Sequence, residues 1–197
     1  MLSGHNRIKR SQMDVLIIFI VALGLAMDCF ALAISNSSLS GLVKPGVSLK
    51  TALVFAIMHM LLLLLGLGLG GLLQPRFEGL ESWGAFAIFA YIGAKMIYGA
   101  QNRHPEARVF DINSGKVMVV LALAASIDAL LVGLALGLLH TQVWLATILV
   151  TLSAFLFTFA GLAGGQNFGL PFAKRTAIFG GVFMLIAALH FIVQLFI

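Results

Sequence analysis

The sequence predicts an all-α integral membrane protein of six transmembrane helices, laid out as two inverted three-helix repeats. Three observations lead there. Hydrophobic residues make up 61% of the 197-residue chain and charged residues only 10%, where a soluble domain carries about 25% charged residues. The apolar residues gather into six windows, each close to the roughly 20 residues that a helix needs to cross the hydrocarbon core. The first and fourth windows each hold one aspartate in a matching context, Asp28 and Asp128. A mean hydropathy of +1.08 agrees with this reading.

The windows follow one another with short links. Residues 15–34 hold one charge, Asp28; 51–73 hold none; 82–100 hold Lys95; 117–139 hold Asp128; 143–165 and 176–197 hold none. Backbone polar groups in lipid must be bonded within their own segment, so windows of this length read as helices. A membrane β-barrel needs alternating segments of roughly 10 residues, and the chain has no such alternation. The longest link, 101–116, carries Arg103, Arg108 and Lys116 beside Glu106 and Asp111. It leaves no room for a soluble domain. The chain therefore divides into an N-terminal extension 1–12, a first three-helix repeat 13–100, a cytoplasmic linker 101–116 and a second three-helix repeat 117–197. Cys29 is the single cysteine, which excludes an internal disulfide framework.

The net charge of +5 does not point to nucleic acid, because the basic residues sit between apolar segments, where the positive-inside rule expects them. Lys44, Lys50, Arg103, Arg108, Lys116, Lys174 and Arg175 fall in the links after helices 1, 3 and 5; Arg7, Lys9, Arg10 and Arg76 fall on the other side. The richer side is expected in the cytoplasm, which places both termini outside it, in a multi-pass protein of the cell inner membrane. If Met13 is the start, the bias grows, with residues 1–12 an extension. The basic start followed by an apolar run also imitates a secretory signal peptide. Cleavage there would discard half of the internal repeat, which argues against it.

That repeat is visible in Ala22-Leu23-Gly24-Leu25-Ala26-Met27-Asp28 against Ala122-Leu123-Ala124-Ala125-Ser126-Ile127-Asp128. Gly93-Ala94-Lys95-Met96 resembles Gly181-Val182-Phe183-Met184, and the glycine-rich ends 66–71 and 161–165 pair helices 2 and 5. Three spans per repeat force the two halves into opposite orientations, so helices 1 and 4 run antiparallel. Inverted repeats place binding sites near the midplane, at the interface between halves.

An ionised carboxylate at the bilayer centre costs at least ~2.5 kcal/mol on insertion scales, and intramembrane charges are functional by default. Asp28 and Asp128 would repel one another there unless protonated, paired or bridged. A divalent cation relieves the repulsion, and oxygen donors suit Mg²⁺, Ca²⁺ or Mn²⁺. The alternative is a protonated or lysine-paired aspartate that fastens helices, with Lys95 as the available charge partner. Ser126, two residues before Asp128, adds an oxygen to the metal site or bonds its own backbone. His59 interrupts helix 2 and serves as a metal ligand or proton carrier, or as a bond to a neighbouring helix. His190 reads as interfacial. Cys29 leaves its helix about 100° from Asp28 and reads as packing, as do Met27, Met58 and Met60. Gly66, Gly68, Gly70, Gly71, Gly161, Gly164 and Gly165 allow close helix contact. The sequence has no phosphate-binding G-x-x-x-x-G-K-[ST], no H-E-x-x-H and no CxxC, so neither an enzyme nor ATP-driven transport is expected.

Ala26-Met27-Asp28-Cys29-Phe30-Ala31 resembles the S-M-D-A-F-A motif of the MntP-type manganese efflux pumps, in the LysE-like transporter superfamily. Ala125-Ser126-Ile127-Asp128-Ala129 resembles the family's second motif, S-I/L-D-A, and Gly93-Ala94-Lys95-Met96-Ile97 its G-G-[RK]-M-I. The likeness extends over nearly the whole chain. It implies a small exporter of Mn²⁺ with Asp28 and Asp128 as central acids. Two departures stand out: Met58-His59-Met60 replaces an acid or amide followed by proline, and Tyr98 stands where a glutamate often follows the M-I pair.

The expectation is secondary transport. A divalent cation, Mn²⁺ first, binds between Asp28 and Asp128, with His59 and Ser126 as further candidate ligands. The halves rock, and protons return. The alternatives are transport of another metal ion or small solute, and a non-transport membrane protein on the same scaffold. Expected partners are a divalent metal ion and the lipid bilayer, with a homodimer allowed and no nucleic acid. No resident cofactor is expected, Mn²⁺ being substrate.

Overall fold

A computed structural model describes residues 3–40, 43–77, 79–102, 115–139 and 142–196. Six long helices account for nearly all of them: α1 Ser3–Ser40, α2 Pro45–Leu73, α3 Glu81–Asn102, α4 Gly115–Leu138, α5 Val143–Gly164 and α6 Gly169–Phe196. Local chemistry fixes several ends. Pro45 opens α2, where its missing N–H would be unpaired anyway. After α2, a short 3₁₀ turn over Gln74–Arg76 leads to Gly79 at φ 81°, a left-handed conformation that glycine adopts without strain. The Gly79 amide donates to the Glu81 carboxylate at 3.0 Å, just before α3.

The helices run beyond the apolar windows, because helical bonding does not stop where the hydrocarbon does. Lys50, Lys116, Lys174 and Arg175, expected in links, therefore sit within the first two turns of α2, α4 and α6. With Lys44 they mark one end of the bundle as basic; Arg76 and Glu81 lie at the opposite end. The link residues Arg103, Glu106, Arg108 and Asp111 lie outside the described residues, as do the side chains of Arg7, Lys9 and Arg10.

Five helices, all but α3, are long and apolar enough to cross a membrane. The third window was expected to match them. At 22 residues α3 is long enough, but Lys95, Tyr91 and Tyr98 dilute its apolarity. The outer surface is apolar: Leu53, Ile57, Leu61 and Leu64 form a half-exposed stripe along α2, and Leu152 and Leu156 do the same on α5. Exposed leucine at helical spacing over this length is the surface that acyl chains solvate. The protein is multi-pass and all-helical.

Each helix packs on neighbours in the order α6, α1, α5, α2, α4, α3 and back to α6, with only a narrow contact between α3 and α4. Consecutive helices α1 and α2 are thus separated by α5. Small residues draw two pairs close. On the α2–α4 seam, a Cβ on Gly66 or Gly70 would strike the carbonyl of Leu130 or Leu134, and one on Gly133 that of Leu63. On the α1–α5 seam, Gly161 meets Ala33 and Phe30 and Gly165 meets Ile34 and Ser37. Ser37 also donates to the Leu162 carbonyl at 3.0 Å across that seam.

Along the bundle axis the interior changes character. Toward the end opposite the basic one, all six helices contribute to a single apolar cluster that includes Ile18, Leu25, Leu63, Phe89, Ile92, Val132, Leu136, Val150 and Met184. Toward the basic end the interior is mixed. Asn36, Ser37, Ser48, Thr51, Thr158 and Thr176 are buried there. A small cavity opens among Asn36, Thr51, Phe55 and Thr158.

Candidate functional site

The ionisable residues singled out in the sequence lie where these two regions meet, midway along their helices. On α1, Leu25 belongs to the apolar cluster and Cys29 to the smaller one beyond it; Asp28 stands between them, half-buried. On α2 the same boundary falls at His59, and on α4 at Asp128.

Asp128 is almost fully enclosed, at 5% exposure. Lys95 reaches it from α3, Nζ to Oδ1 at 2.6 Å. The lysine side chain is itself half-exposed in the narrow α3–α4 contact. The pair sets an amino group against a carboxyl group within an apolar bundle. A buried carboxylate stripped of its partner is costlier than the pair, which itself must offset the desolvation of both groups.

His59 is buried and held from three directions. Its Nδ1 lies 3.0 Å from the Phe55 carbonyl and 2.8 Å from Ser126 Oγ. The Ser126 hydroxyl donates to the Ala122 carbonyl at 2.7 Å, so toward the histidine it accepts. Both neighbours of Nδ1 are then acceptors, and Nδ1 carries the proton. That leaves Nε2 with its lone pair facing Cys29 Sγ, 3.3 Å away on α1. Phe55 stacks alongside the imidazole at 6.5 Å between centroids.

The structure therefore groups the candidates in two sets. Asp128 and Lys95 form one; His59, Ser126 and Cys29 form the other. Asp28 sits one residue from Cys29 on the same turn. Among the described residues, no three His, Cys, Asp or Glu side chains gather closely enough to cage a metal ion. Ser126 takes one of the two roles that its sequence context allowed, bonding its own backbone, and also reaches His59 on a neighbouring helix. His190 lies half-buried near the end of α6, against Phe191. Cys29, expected to be packing, is fully buried in a small apolar cluster, and its contact with His59 is one that the sequence alone does not indicate.

Three comparisons bear on what such an arrangement belongs to. The family model described as "Putative manganese efflux pump" matches residues 42–192. Relatives named "Putative manganese efflux pump MntP" include one from Desulfitobacterium hafniense, 34% identical over 90% of this chain and 93% of its own. One from Crocosphaera subtropica is 33% identical over 92% of this chain and 97% of its own. One from Methanothermobacter thermautotrophicus is 31% identical over the same shares. No solved structure matches the chain. A bundle of apolar helices with a charged pair at mid-depth, aligned nearly end to end with these relatives, is a transporter and not an enzyme: the chain belongs to the Mntp family of manganese efflux pumps.

Proposed function

We propose that this chain exports a divalent cation, Mn²⁺ first, from the cytoplasm by secondary transport through a midplane site between Asp28 and Asp128. The observation that carries the reading is the buried Asp128 carboxylate paired with Lys95 at 2.6 Å. An ammonium in that position is a built-in stand-in for a cation. An arriving divalent ion displaces Lys95 from Asp128 and draws on Asp28, with Ser126 and His59 close by. Lys95, half-exposed already, swings away from the carboxylate and returns when the ion leaves. Protons travelling the other way neutralise the emptied carboxylates.

The direction of access follows from the two interior regions. The apolar cluster closes the bundle opposite the basic end, and a small apolar-walled cavity and several buried hydroxyls lie on the basic side. By the positive-inside rule the basic end faces the cytoplasm, so the site loads from there, as an exporter requires. That orientation puts both termini outside, with six spans including α3, in the cell inner membrane.

The packing also supports two inverted repeats, α1–α3 and α4–α6. Exchanging α1 with α4, α2 with α5 and α3 with α6 returns the same neighbour order. Asp28, Ala33 and Ser37 stand at one constant offset from Asp128, Gly133 and Gly137. The first trio's small residues meet Gly161 and Gly165 as the second's meet Gly66 and Gly70. The test is metal export from cells sensitised to Mn²⁺. Asp28→Asn and Asp128→Asn are each expected to abolish Mn²⁺ resistance and raise intracellular Mn²⁺, at normal membrane abundance. Full export by both variants would end this reading.

A further inference from the structure

The outward face of α3 is made differently from those of α2, α5 and α6. There the residues that meet lipid at mid-helix are aliphatic, as with Leu61 and Leu64, Leu152 and Leu156, and Ile186 and Leu189. On α3 the outward stripe is Ala87, Tyr91, Ala94, Tyr98 and Gln101. Tyr91 is 61% exposed and Tyr98 70%. Tyr91 stands at the middle of the 22-residue helix, and Tyr98 lies roughly 10 Å further along at the α-helical rise. Both therefore fall within a hydrocarbon core about 30 Å thick, and Tyr91 is far from the interfaces where tyrosine is at home. Among the described residues neither phenol has a hydrogen-bond partner. A hydroxyl facing hydrocarbon without one is unfavourable.

The spacing says what covers the stripe. Its residues recur at intervals of four, three, four and three, which is the seam of a left-handed helix pair. Alanine alternates with tyrosine along it. Small residues let two backbones approach, and polar side chains bond across, which are the means by which helices join in lipid. Phenol and amide each donate and accept, and no residue of the stripe is charged. The stripe is thus complementary to itself, as the contact of a two-fold dimer must be. Lys95 lies just off the seam and is tied to Asp128 at 2.6 Å, so it brings no like charges together. The bundle leaves room as well, since α3 is covered by α6 but touches α4 only narrowly.

We propose that two copies of the chain form a parallel dimer in the membrane through this face of α3, each tyrosine layer opposite its own copy. The dimer gives a reason why α3 is long enough to span but less apolar than the other five helices: its polar stripe faces protein. The proposal goes beyond the ion path and does not depend on it.

The first experiment is oxidative cross-linking of the full chain in the membranes of expressing cells. Ala87→Cys and Ala94→Cys, on the seam, are expected to give dimers. Leu61→Cys and Leu152→Cys, half-exposed on α2 and α5, are expected to stay monomeric, as is the wild type, whose one cysteine is buried. The second is single-molecule subunit counting in dilute lipid vesicles, with two copies expected. Ala94→Leu adds bulk on the outward face, away from the chain's own core. It is expected to weaken the dimer at least about tenfold, the scale of overpacking a contact. Tyr91→Phe is expected to weaken it about threefold, the loss of one interhelical hydrogen bond. Cross-linking at 87 and 94 no greater than at the controls, or cross-links there to a different protein, overturns the proposal. So does a single copy per vesicle for the wild type, or an Ala94→Leu dimer as tight as the wild type's.

Discussion

The two halves of the bundle interior, taken along its axis, are built on opposite principles. Opposite the basic end, side chains from all six helices interlock, and Phe89 stacks on Phe191 at 5.5 Å between centroids. Toward the basic end, the core breaks into small clusters around buried hydroxyls and a cavity. Lipid gives apolar side chains no reason to leave it, so helices in a membrane associate through packing and polar contacts. The first half uses packing throughout. The second leaves packing incomplete and buries hydroxyls and a small cavity between its helices. In the proposed transport the first half would serve as the barrier and the second as the approach, and the charged residues sit at their boundary.

Breaking the barrier is expected to give the largest loss of stability. Phe89 is fully enclosed. Because lipid is as apolar as the core, Phe89→Ala loses mainly the cavity term, on the order of 2 kcal/mol. Leu121→Ala, beside the existing cavity, is expected to cost clearly less. Thermal unfolding of both variants in one detergent measures the difference. Equal losses would mean that the two halves are packed alike and that the contrast is one of composition only.

The boundary comes next. Lys95→Met leaves the Asp128 carboxylate enclosed without its ammonium. Breaking a fully buried pair costs about 3–5 kcal/mol, and with Lys95 half-exposed the expected loss falls to about 1–2 kcal/mol. Adding Asp128→Asn is expected to recover most of it, since the charge that needed a partner is gone. The double-mutant cycle reads this coupling directly. Additive losses would show that the 2.6 Å pair contributes nothing to holding α3 on α4.

The sequence makes some of this contrast legible and hides the rest for a physical reason. Hydropathy finds the helices, since the bilayer imposes a length and an apolar composition on each. The out-of-place charges Asp28, Lys95 and Asp128 declare themselves for the same reason. Which residues meet across helices is another matter. Cys29 and His59 belong to α1 and α2, joined by a short link, yet α5 lies between those helices in the neighbour order. Nothing local in either segment indicates that residues from non-neighbouring helices come within 3.3 Å. The glycines teach the same lesson. Gly66, Gly70, Gly161 and Gly165 lie on close seams, but Gly68 and Gly71 face open space, and Gly133 and Gly137, equally close to α2, were not singled out. Small residues mark helices that can approach; the partner and register are decided by the whole bundle.

The smallest expected effect on stability tests the approach itself. Thr158→Val exchanges a buried hydroxyl for a methyl of nearly the same volume. A well-bonded buried hydroxyl lost this way costs about 1 kcal/mol. Thr158 lacks a well-formed bond, so its replacement is expected to leave the unfolding temperature essentially unchanged. The region around the cavity meanwhile loses a buried hydroxyl, an oxygen that the proposed ion path would lose with it. The initial rate of Mn²⁺ entry into inverted vesicles, which load from the basic end in the proposed orientation, is therefore expected to fall while stability holds. A clear loss of stability with an unchanged rate would reverse the assignment, making Thr158 part of the packing and moving the approach away from the cavity.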